Sequence, residues 1–386
     1  MKQLIRITTV PLSLDKLLEG QLRWMRSHFH VTAISSDAGY LKRIGEREGV
    51  ATHVVAMTRK ITPFRDLVAL FQLTLYFLKT KPDIVHTHTP KAGILGMLAA
   101  KLAGVPLRLH TVAGLPLMEA TGWKRKLLDF VEKRTYACAT GVYPNSKGLE
   151  DFILANGYTK KEKVKVIAHG STNGINTTYF NPEHYSVQQT RELRNDLGIQ
   201  ADDFVFVFVG RLVGDKGINE LLAAFSMLPT PSTKLLLVGP FERELDPLQP
   251  ATEKEIENNP NIISVGFQAD VRPYLALSDC LVFPSYREGF PNVVLQAGAM
   301  GLPSIVTDIN GCNELVKEGV NGTLIPPKDS EALLQALIKM AEDKVWRDSL
   351  QQNARTSITS RYEQQLVWEG LLAEYRRLLE GLVLSP

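Results

Sequence analysis

The feature that most constrains the fold is an alternation of short β-rich runs with helical stretches, which occurs twice along the 386 residues. Such alternation predicts βαβ units and a mostly parallel sheet covered by helices on both faces. The candidate strands of the first series are residues 4–9, 30–34, 53–56, 84–87, 107–112 and 164–168. Those of the second series are residues 204–209, 234–238, 261–265, 280–283 and 304–306. We therefore predict an α/β protein with two doubly wound, Rossmann-like domains, whose ligands bind beyond the carboxyl ends of the strands.

A polar stretch over residues 173–202 separates the two series and places the linker near residues 171–200. We assign residues 1–175 to an N-terminal domain and residues 176–386 to a C-terminal domain, and we expect both to face one central cleft. In the tail, residues 362–379 carry apolar side chains at helical spacing. This pattern predicts an amphipathic helix that closes the chain by packing back toward the first domain.

Charge is distributed unevenly along the chain, although the net charge is only +3. Residues 1–175 hold 26 Lys and Arg against 13 Asp and Glu, which leaves 18 against 28 for residues 176–386. The first half is therefore expected to meet something anionic, either a membrane surface or a phosphorylated substrate. Nucleic acid is not expected as a partner, because no recognition motif accompanies the charge.

The cysteines and the apolar segments indicate a protein that is cytoplasmic or peripheral to a membrane. The three cysteines lie far apart, without disulfide or metal spacing, and are predicted to be core thiols: Cys138, Cys280 and Cys312. Arg6 interrupts what would be the core of a signal peptide, so the first residues are interpreted as a strand. The longest apolar stretch, residues 67–78, is broken by two polar residues and is shorter than the roughly 20 residues that span a bilayer.

A second-half segment has the layout of a site for a sugar nucleotide. The apolar run 280–283 is followed by Glu-Gly-Phe-Pro-Asn-Val-Val-Leu-Gln at positions 288–296, which predicts a strand, a loop and a helix. The first N–H groups of such a helix have no partner and attract a phosphate. The expected donors are the backbones of Gly289, Phe290, Asn292 and Val293, whereas Glu288 and Gln296 would face sugar hydroxyls. Taken alone, the segment also fits an ordinary strand-to-helix turn.

The run 204–209 ends in a second candidate site. Its continuation, Gly210-Arg211-Leu212-Val213-Gly214-Asp215-Lys216-Gly217, delivers two cations to the carboxyl end of a strand. Arg211 could bind a diphosphate in bidentate fashion and Lys216 as a point charge, while the glycines allow a close approach of the backbone. A glycine-rich turn with two surface cations is the alternative for this segment alone, and its presence in the same domain as Glu288 favours the diphosphate site.

These motifs resemble the donor-binding domain of the family 4 retaining glycosyltransferases, which have the two-domain GT-B architecture. The residues that carry the resemblance are Gly210-Arg211, Lys216-Gly217, Ser278-Asp279, Pro284-Ser285 and Glu288-Gly289-Phe290-Pro291. The resemblance implies that Arg211 and Lys216 bind the donor diphosphate and that Glu288 binds the donor sugar. It implies no metal and no other cofactor, because the leaving diphosphate can itself accept the proton of the acceptor.

The sequence departs from the family pattern at two positions. The second Glu of the family's pair, which binds the ribose, is replaced by Gln296, whose amide can still accept and donate hydrogen bonds. Many members have a His where this chain has Ala113, and no role is transferred to that position. These departures keep open the alternative of a sugar-nucleotide-binding protein with weakened catalysis. An epimerase of the same fold, acting on a sugar nucleotide, is the other alternative.

The first half resembles a narrower group, the bacterial transferases that build lipid-linked or capsular saccharides, such as N-acetylgalactosaminyltransferases. The matching segments are residues 9–13, 86–93 and 110–115. His88, Lys91 and His110 fall where strands end, so we expect them in the cleft, near an acceptor phosphate or hydroxyl. The resemblance implies a nucleotide-sugar donor, most simply a UDP-sugar, and an acceptor saccharide linked to polyprenyl diphosphate.

Two segments of the first half also suggest contact with an anionic membrane surface. Residues 22–26 and 123–131 mix cations, Trp and aliphatic side chains, as do helices that lie on lipid. Ordinary helices with a basic outer face give the same pattern.

Overall fold

Each of the two series of strands forms one six-stranded parallel sheet. The computed structural model of the protein describes residues 1–115, 117, 121–230, 232–244 and 246–383. Unit 1 comprises Met1–Gly174 together with the segment from Gln365 onward, and unit 2 comprises Ile175–Gln364.

In unit 1 the strand order is β3-β2-β1-β4-β5-β6. The strands are β1 (Gln3–Ile7), β2 (His30–Ser35), β3 (Ala51–Val54), β4 (Ile84–Thr87), β5 (Leu107–Val112) and β6 (Gly141–Pro144). The helices are α1 (Pro11–Leu17), α2 (Gln21–Met25), α3 (Ala38–Glu48), α4 (Pro63–Thr80), α5 (Pro90–Leu102), α6 (Gly122–Cys138), α7 (Lys147–Ala155) and α16 (Gln364–Val383).

Helices cover both faces of the first sheet, so its central strands are buried, including polar residues such as Arg6 and His86. One face buries Ile5, Ile7 and Val85 against α4, α5, α6 and α7. The other face buries Leu4 and Ile84 against α1, α2 and α3, and against Leu371, Leu372 and Tyr375 of α16. The last helix therefore supplies part of the core of unit 1.

In unit 2 the strand order is β12-β11-β10-β7-β8-β9. The strands are β7 (Phe204–Val209), β8 (Thr233–Val238), β9 (Ile262–Gly266), β10 (Cys280–Phe283), β11 (Ser304–Thr307) and β12 (Gly322–Ile325). The helices are α8 (Val187–Asp196), α9 (Ile218–Ser226), α10 (Pro250–Asn258), α11 (Arg272–Ala276), α12 (Asn292–Ala299), α13 (Cys312–Leu315), α14 (Ser330–Glu342) and α15 (Lys344–Tyr362).

The predicted fold class is confirmed, and three predictions of detail are wrong. Residues 164–168 do not form a strand, because Val164 makes only an isolated bridge to Val142. The sixth strand of unit 1 is instead β6, and β12 was also not predicted. Both missed strands have only four residues and begin with Gly, so they give little periodicity. Segment 22–26 is not a lipid-facing surface, since Leu22 and Met25 are buried in the core. The three cysteines are free and buried, as predicted.

Candidate functional site

In unit 2 the predicted donor-binding residues lie at the carboxyl edge of the sheet, where β7 and β10 are neighbours. The strand order reverses between these two strands, and open α/β sheets bind ligands in the crevice outside such a point. Arg211 follows β7, and Glu288 lies between β10 and α12. Lys216 ends a 3₁₀ turn, Gly214–Lys216, that leads into α9.

Lys216 and Glu288 form an ion pair above this point of the sheet. Lys216 Nζ lies 2.5 Å from Glu288 Oε1, and each side chain is 16% exposed. Ser285 Oγ donates a hydrogen bond of 2.9 Å to the same carboxylate oxygen. Fold topology therefore joins two residues that are 72 positions apart and that the sequence marks as diphosphate-binding and sugar-binding. A donor bound here meets an existing ion pair rather than two separate charges.

Arg211 lies at the same edge but pairs with a residue that the sequence analysis did not consider. Its Nη1 is 2.7 Å from Glu242 Oε2, and both side chains are partly exposed. The hydrogen bond that Arg211 donates to Glu242 is the main reason that the pKa of Arg211 is raised, so the guanidinium carries its full charge. Glu242 follows β8, the next strand of the sheet. An acidic residue after a neighbouring strand is the sequence signal that could have identified this partner of Arg211.

The loop that carries Glu288 is held by an Asn-Gly pair after β11. Asn310 Nδ2 donates to the carbonyl oxygens of Glu288 at 3.0 Å and Gly289 at 2.8 Å. Gly311 has a φ of 79°, and a Cβ atom there would lie 2.5 Å from the Gly289 carbonyl oxygen. Only glycine fits this combination of backbone angle and close approach. An Asn-Gly dipeptide after a strand is a turn signal that could have identified this support.

Helix α12 begins at Asn292, with Pro291 in the capping position and no side-chain cap. Among the described residues, the N–H groups of Asn292 and Val293 have no hydrogen-bond acceptor. Such groups give the helix start a partial positive charge, as the sequence predicted. The Phe290 side chain instead belongs to the core, where its ring centroid lies 5.4 Å from that of Tyr362.

Gln296 lies one turn after Asn292 on α12, so the two side chains share a helix face. Gln296 is partly buried. Within the part of the chain that the structure describes, its side-chain amide has no hydrogen-bond partner. The amide is therefore available to a ligand on that face, although no contact tests the predicted ribose role.

The Ser278-Asp279 motif has a structural position, at the opposite edge of the sheet. Asp279 Oδ2 accepts hydrogen bonds from the backbone N–H of Val205 at 2.8 Å and from Arg194 Nη2 at 3.0 Å. Burial raises the pKa of Asp279. The motif thus connects the beginning of β10 to the beginning of β7.

In unit 1, His88 lies against a fully buried arginine. Arg6 Nε donates a hydrogen bond of 2.9 Å to His88 Nε2, and Arg6 Nη2 donates one of 2.5 Å to Gln21 Oε1. Burial first, and the nearby Arg6 charge second, hold the pKa of His88 well below its usual value. His88 is therefore neutral at physiological pH and accepts rather than donates at Nε2. The sequence analysis noted Arg6 only as a break in an apolar run.

His110 and Lys91 are placed differently from each other. His110 is buried, its Nδ1 lies 2.7 Å from Thr87 Oγ1, and burial lowers its pKa to about 4. Lys91 Nζ lies 2.7 Å from Asp66 Oδ1 of α4, so its charge is already paired. The structure therefore does not support an unpaired Lys91 in the acceptor site. Within the described ranges, no group of three or more His, Cys, Asp or Glu is arranged to hold a metal ion.

Comparison with solved structures identifies the fold as GT-B. The protein superposes on Anabaena HepE, which was solved in complex with UDP and glucose, with a TM-score of 0.80 at 20% sequence identity. The superposition covers 98% of this chain and 100% of the HepE chain. Two family models match the sequence. The one described as glycosyl transferases group 1 covers residues 189–357, and the one described as glycosyl transferase 4-like domain covers residues 17–170.

The curated relatives define the family more closely. The chain is 32% identical, over 98% of both sequences, to the capsular polysaccharide biosynthesis glycosyltransferase CapM of Staphylococcus aureus. It is also 32% identical, over 86% of this chain and 85% of the relative, to an Escherichia coli enzyme named UDP-Gal:alpha-D-GlcNAc-diphosphoundecaprenol alpha-1,3-galactosyltransferase. The chain belongs to the family 4 glycosyltransferases, and it is a glycosyltransferase.

Proposed function

We propose that this protein transfers a sugar, with retention of configuration, from a UDP-sugar to a saccharide carried on polyprenyl diphosphate. The product would serve the assembly of a bacterial surface polysaccharide. The observation that carries the proposal is the Lys216–Glu288 pair at the β7–β10 edge, in a chain related along its whole length to a capsular glycosyltransferase. The second relative supports the donor and acceptor classes, since its name specifies a UDP-sugar and a diphosphoundecaprenol acceptor.

The donor chemistry follows from the charges at this edge. Negative charge grows on the leaving diphosphate, and Arg211, Lys216 and the start of α12 are suited to stabilise it. Lys216 would then exchange part of its contact with Glu288 for a phosphate oxygen. Glu288, still held by Ser285, would accept hydrogen bonds from the donor sugar. Gln296, on the same helix face as Asn292, would reach the ribose.

The acceptor class implies a location. A saccharide on a polyprenyl chain is anchored in a bilayer, so the enzyme must work at a membrane surface. We include in the proposal a peripheral association with the anionic inner face of the plasma membrane. The excess of cations in residues 1–175 supports it.

The test is a panel of UDP-sugars incubated with the purified protein and a short-chain polyprenyl diphosphate saccharide. Transfer of the sugar, with an α-linked product from an α-linked donor, is the expected result. An epimerised nucleotide without product would identify an epimerase. Binding of UDP with neither product would identify a protein that has lost catalysis. Either outcome contradicts the proposal.

A further inference from the structure

Unpaired polar atoms in unit 1 converge on one pocket. Of the buried side-chain atoms that lack a hydrogen-bond partner among the described residues, four belong to residues that line this pocket. They are Arg6 Nη1, His88 Nδ1, Asn145 Oδ1 and Thr172 Oγ1. Buried polar atoms in folded proteins are nearly always paired, so such a concentration needs an explanation.

The pocket lies where the strand order of the first sheet reverses. Arg6 is on β1, and His88 follows β4, the two strands that flank this point. Asn145 follows β6 at the same edge of the sheet. Thr172, which also lines the pocket, is only partly buried. The position is the one at which open α/β sheets bind ligands.

The charge in the pocket is uncompensated. Arg6 is 0% exposed, and its hydrogen-bond acceptors are the neutral side chains of His88 and Gln21. An arginine stays protonated in proteins, and a buried charge without a counter-charge is costly. A water molecule could satisfy some of the unpaired atoms but could not neutralise the guanidinium. Thr172 can donate a further hydrogen bond, and so can His88, which accepts at Nε2 and therefore carries its proton on the unpaired Nδ1.

We propose that this pocket is a subsite for a phosphate oxyanion, with Arg6 as its charged contact and Thr172 and His88 as its neutral ones. The identity of this oxyanion rests on the proposed function: it is the diphosphate of the lipid-linked acceptor. Inorganic phosphate shares the relevant chemistry and can serve as the first probe.

The test is calorimetric titration of the full chain with inorganic phosphate, in the presence of saturating UDP so that the unit 2 site is filled. Arg6→Met should weaken phosphate binding at least tenfold. Arg108→Met is the matched control, because Arg108 is a partly buried arginine of the same unit whose donors reach backbone carbonyls. It should bind phosphate like the parent.

Thr172→Val provides a variant that removes no hydrogen bond within the protein. It should melt like the parent, bind phosphate several-fold more weakly, and raise KM for a short isoprenyl diphosphate acceptor more than it lowers kcat. Equal phosphate affinity in the parent, Arg6→Met and Thr172→Val would overturn the proposal. Because the titration needs no turnover, an inactive parent that still binds phosphate in this way would contradict the proposed function and leave the pocket assigned.

A separate surface of unit 1 is apolar and unpartnered. Helix α4 buries Ala69, Leu73 and Phe77 on its inner side. Its outer side carries a second apolar stripe: Phe64, Leu67, Val68, Phe71, Leu75 and Leu78. Each is at least 49% exposed, and Phe64 is 89% exposed. The stripe runs roughly 21 Å along the helix, and soluble proteins rarely expose such a continuous patch.

The charges around this stripe are of one sign. Residues 59–81 contain five exposed cations: Arg59, Lys60, Arg65, Lys79 and Lys81. The one acid in that range, Asp66, is neutralised by Lys91. Helix α6, which packs on α5 as α4 does, adds the exposed Trp123 and Phe130. Among the helices that the structure describes, none is long and apolar enough to cross a bilayer.

Resting on the membrane association included in the proposed function, we infer that the outer stripe of α4 lies in the interface of an anionic bilayer, with the flanking cations on lipid headgroups. Apolar insertion combined with basic flanks fits a charged lipid surface better than a protein partner or a second copy of the chain.

Flotation with phosphatidylglycerol-containing vesicles tests this inference. The parent should float, less so with neutral vesicles or high salt. The combined variant Phe64→Ser, Leu67→Ser, Phe71→Ser should stay in the bottom fraction while its melting temperature and its activity on a water-soluble acceptor are kept. The matched control replaces Val187, Phe267 and Val345 by Ser, three residues of unit 2 that are between 72% and 84% exposed, and should float like the parent. Equal flotation of the α4 variant, or a parent dimer that the variant converts to monomer, would show that lipid is not the occupant.

Discussion

The two units share one strand order but differ in how cations near the point of reversal are compensated. In unit 2 the two cations of the candidate donor site have carboxylate partners, Lys216 with Glu288 and Arg211 with Glu242. In unit 1 Lys91 is likewise paired, but Arg6 is buried among neutral groups. A cation with a carboxylate partner can exchange that partner for a charged ligand and regain it after the ligand leaves. A buried cation without such a partner gains a counter-charge only when a ligand supplies one. The two proposals thus assign two different modes of anion binding to the same fold.

The largest loss of activity should come from removing the carboxylate of the Lys216–Glu288 pair. Glu288→Ala should lower kcat/KM by at least a thousandfold, since it removes the carboxylate proposed to contact the donor sugar and leaves Lys216 without its partner. Circular dichroism should show a native fold, because the residue lies on a loop. Glu253→Ala is a matched control, as Glu253 forms an exposed ion pair with Arg243 in the same unit. Turnover within a few-fold of the parent would place the sugar site elsewhere.

Acid should destabilise unit 1 more than unit 2, because the buried titratable histidines lie in unit 1. The folded-state pKa of His110 is about 4, below its unfolded value of about 6.5, so the unfolded chain binds the proton more tightly. The resulting stability is complete above pH 6.5 and is lost as the pH falls toward 4. Relative to His110→Asn, the parent should lose on the order of 3 kcal/mol between pH 7 and pH 4.

Comparison with that variant is needed because Glu132 acts in the opposite direction. Burial raises its pKa to about 7, so its contribution is present below pH 4.5 and declines as the pH rises through 7. This term is common to parent and variant and cancels in the difference. Hydrogen exchange should show acid opening of unit 1 before unit 2. If unit 2 opens first, the contrast drawn from the histidines is wrong.

Arg211 and Lys216 should affect catalysis more than donor binding. Arg211→Ala and Lys216→Ala should each lower kcat on the order of a hundredfold but weaken binding of the intact UDP-sugar much less, because the charge they face grows in the transition state. Calorimetry with the UDP-sugar in the absence of acceptor and steady-state kinetics give the two quantities. Equal losses in kcat/KM and in UDP-sugar affinity would assign them to ground-state binding only.

The smallest effect is expected at Gln296. Gln296→Leu should weaken UDP binding about tenfold by leaving ribose hydroxyls unpaired, whereas Gln296→Glu should preserve or improve it. A 2′,3′-dideoxy nucleotide should bind the parent and the Leu variant equally. Unchanged UDP affinity in the Leu variant would make Gln296 an ordinary surface residue of α12.

The sequence predicted what depends on local pattern. The long apolar strands such as β7 and the Glu288 loop after β10 follow from periodicity and from flanking Gly and Pro. It could not predict that Lys216 pairs with Glu288 or that Lys91 pairs with Asp66. Those contacts join separate βα units, and only the order of strands in the sheet decides which loops meet. The outer stripe of α4 escaped notice for a related reason, since an apolar run does not state which of its two faces is covered.

The placement of α16 affects the order in which the two units can finish folding. Tyr375 bonds His86 and packs with its neighbours Leu371 and Leu372 into the core beneath β1 and β4. Unit 2 is formed by one continuous segment, but unit 1 lacks part of its interior until α16, which follows unit 2 in the chain, has left the ribosome. The half that is synthesised first is therefore expected to finish folding last, and until then an apolar face of its sheet is exposed to chaperones and proteases.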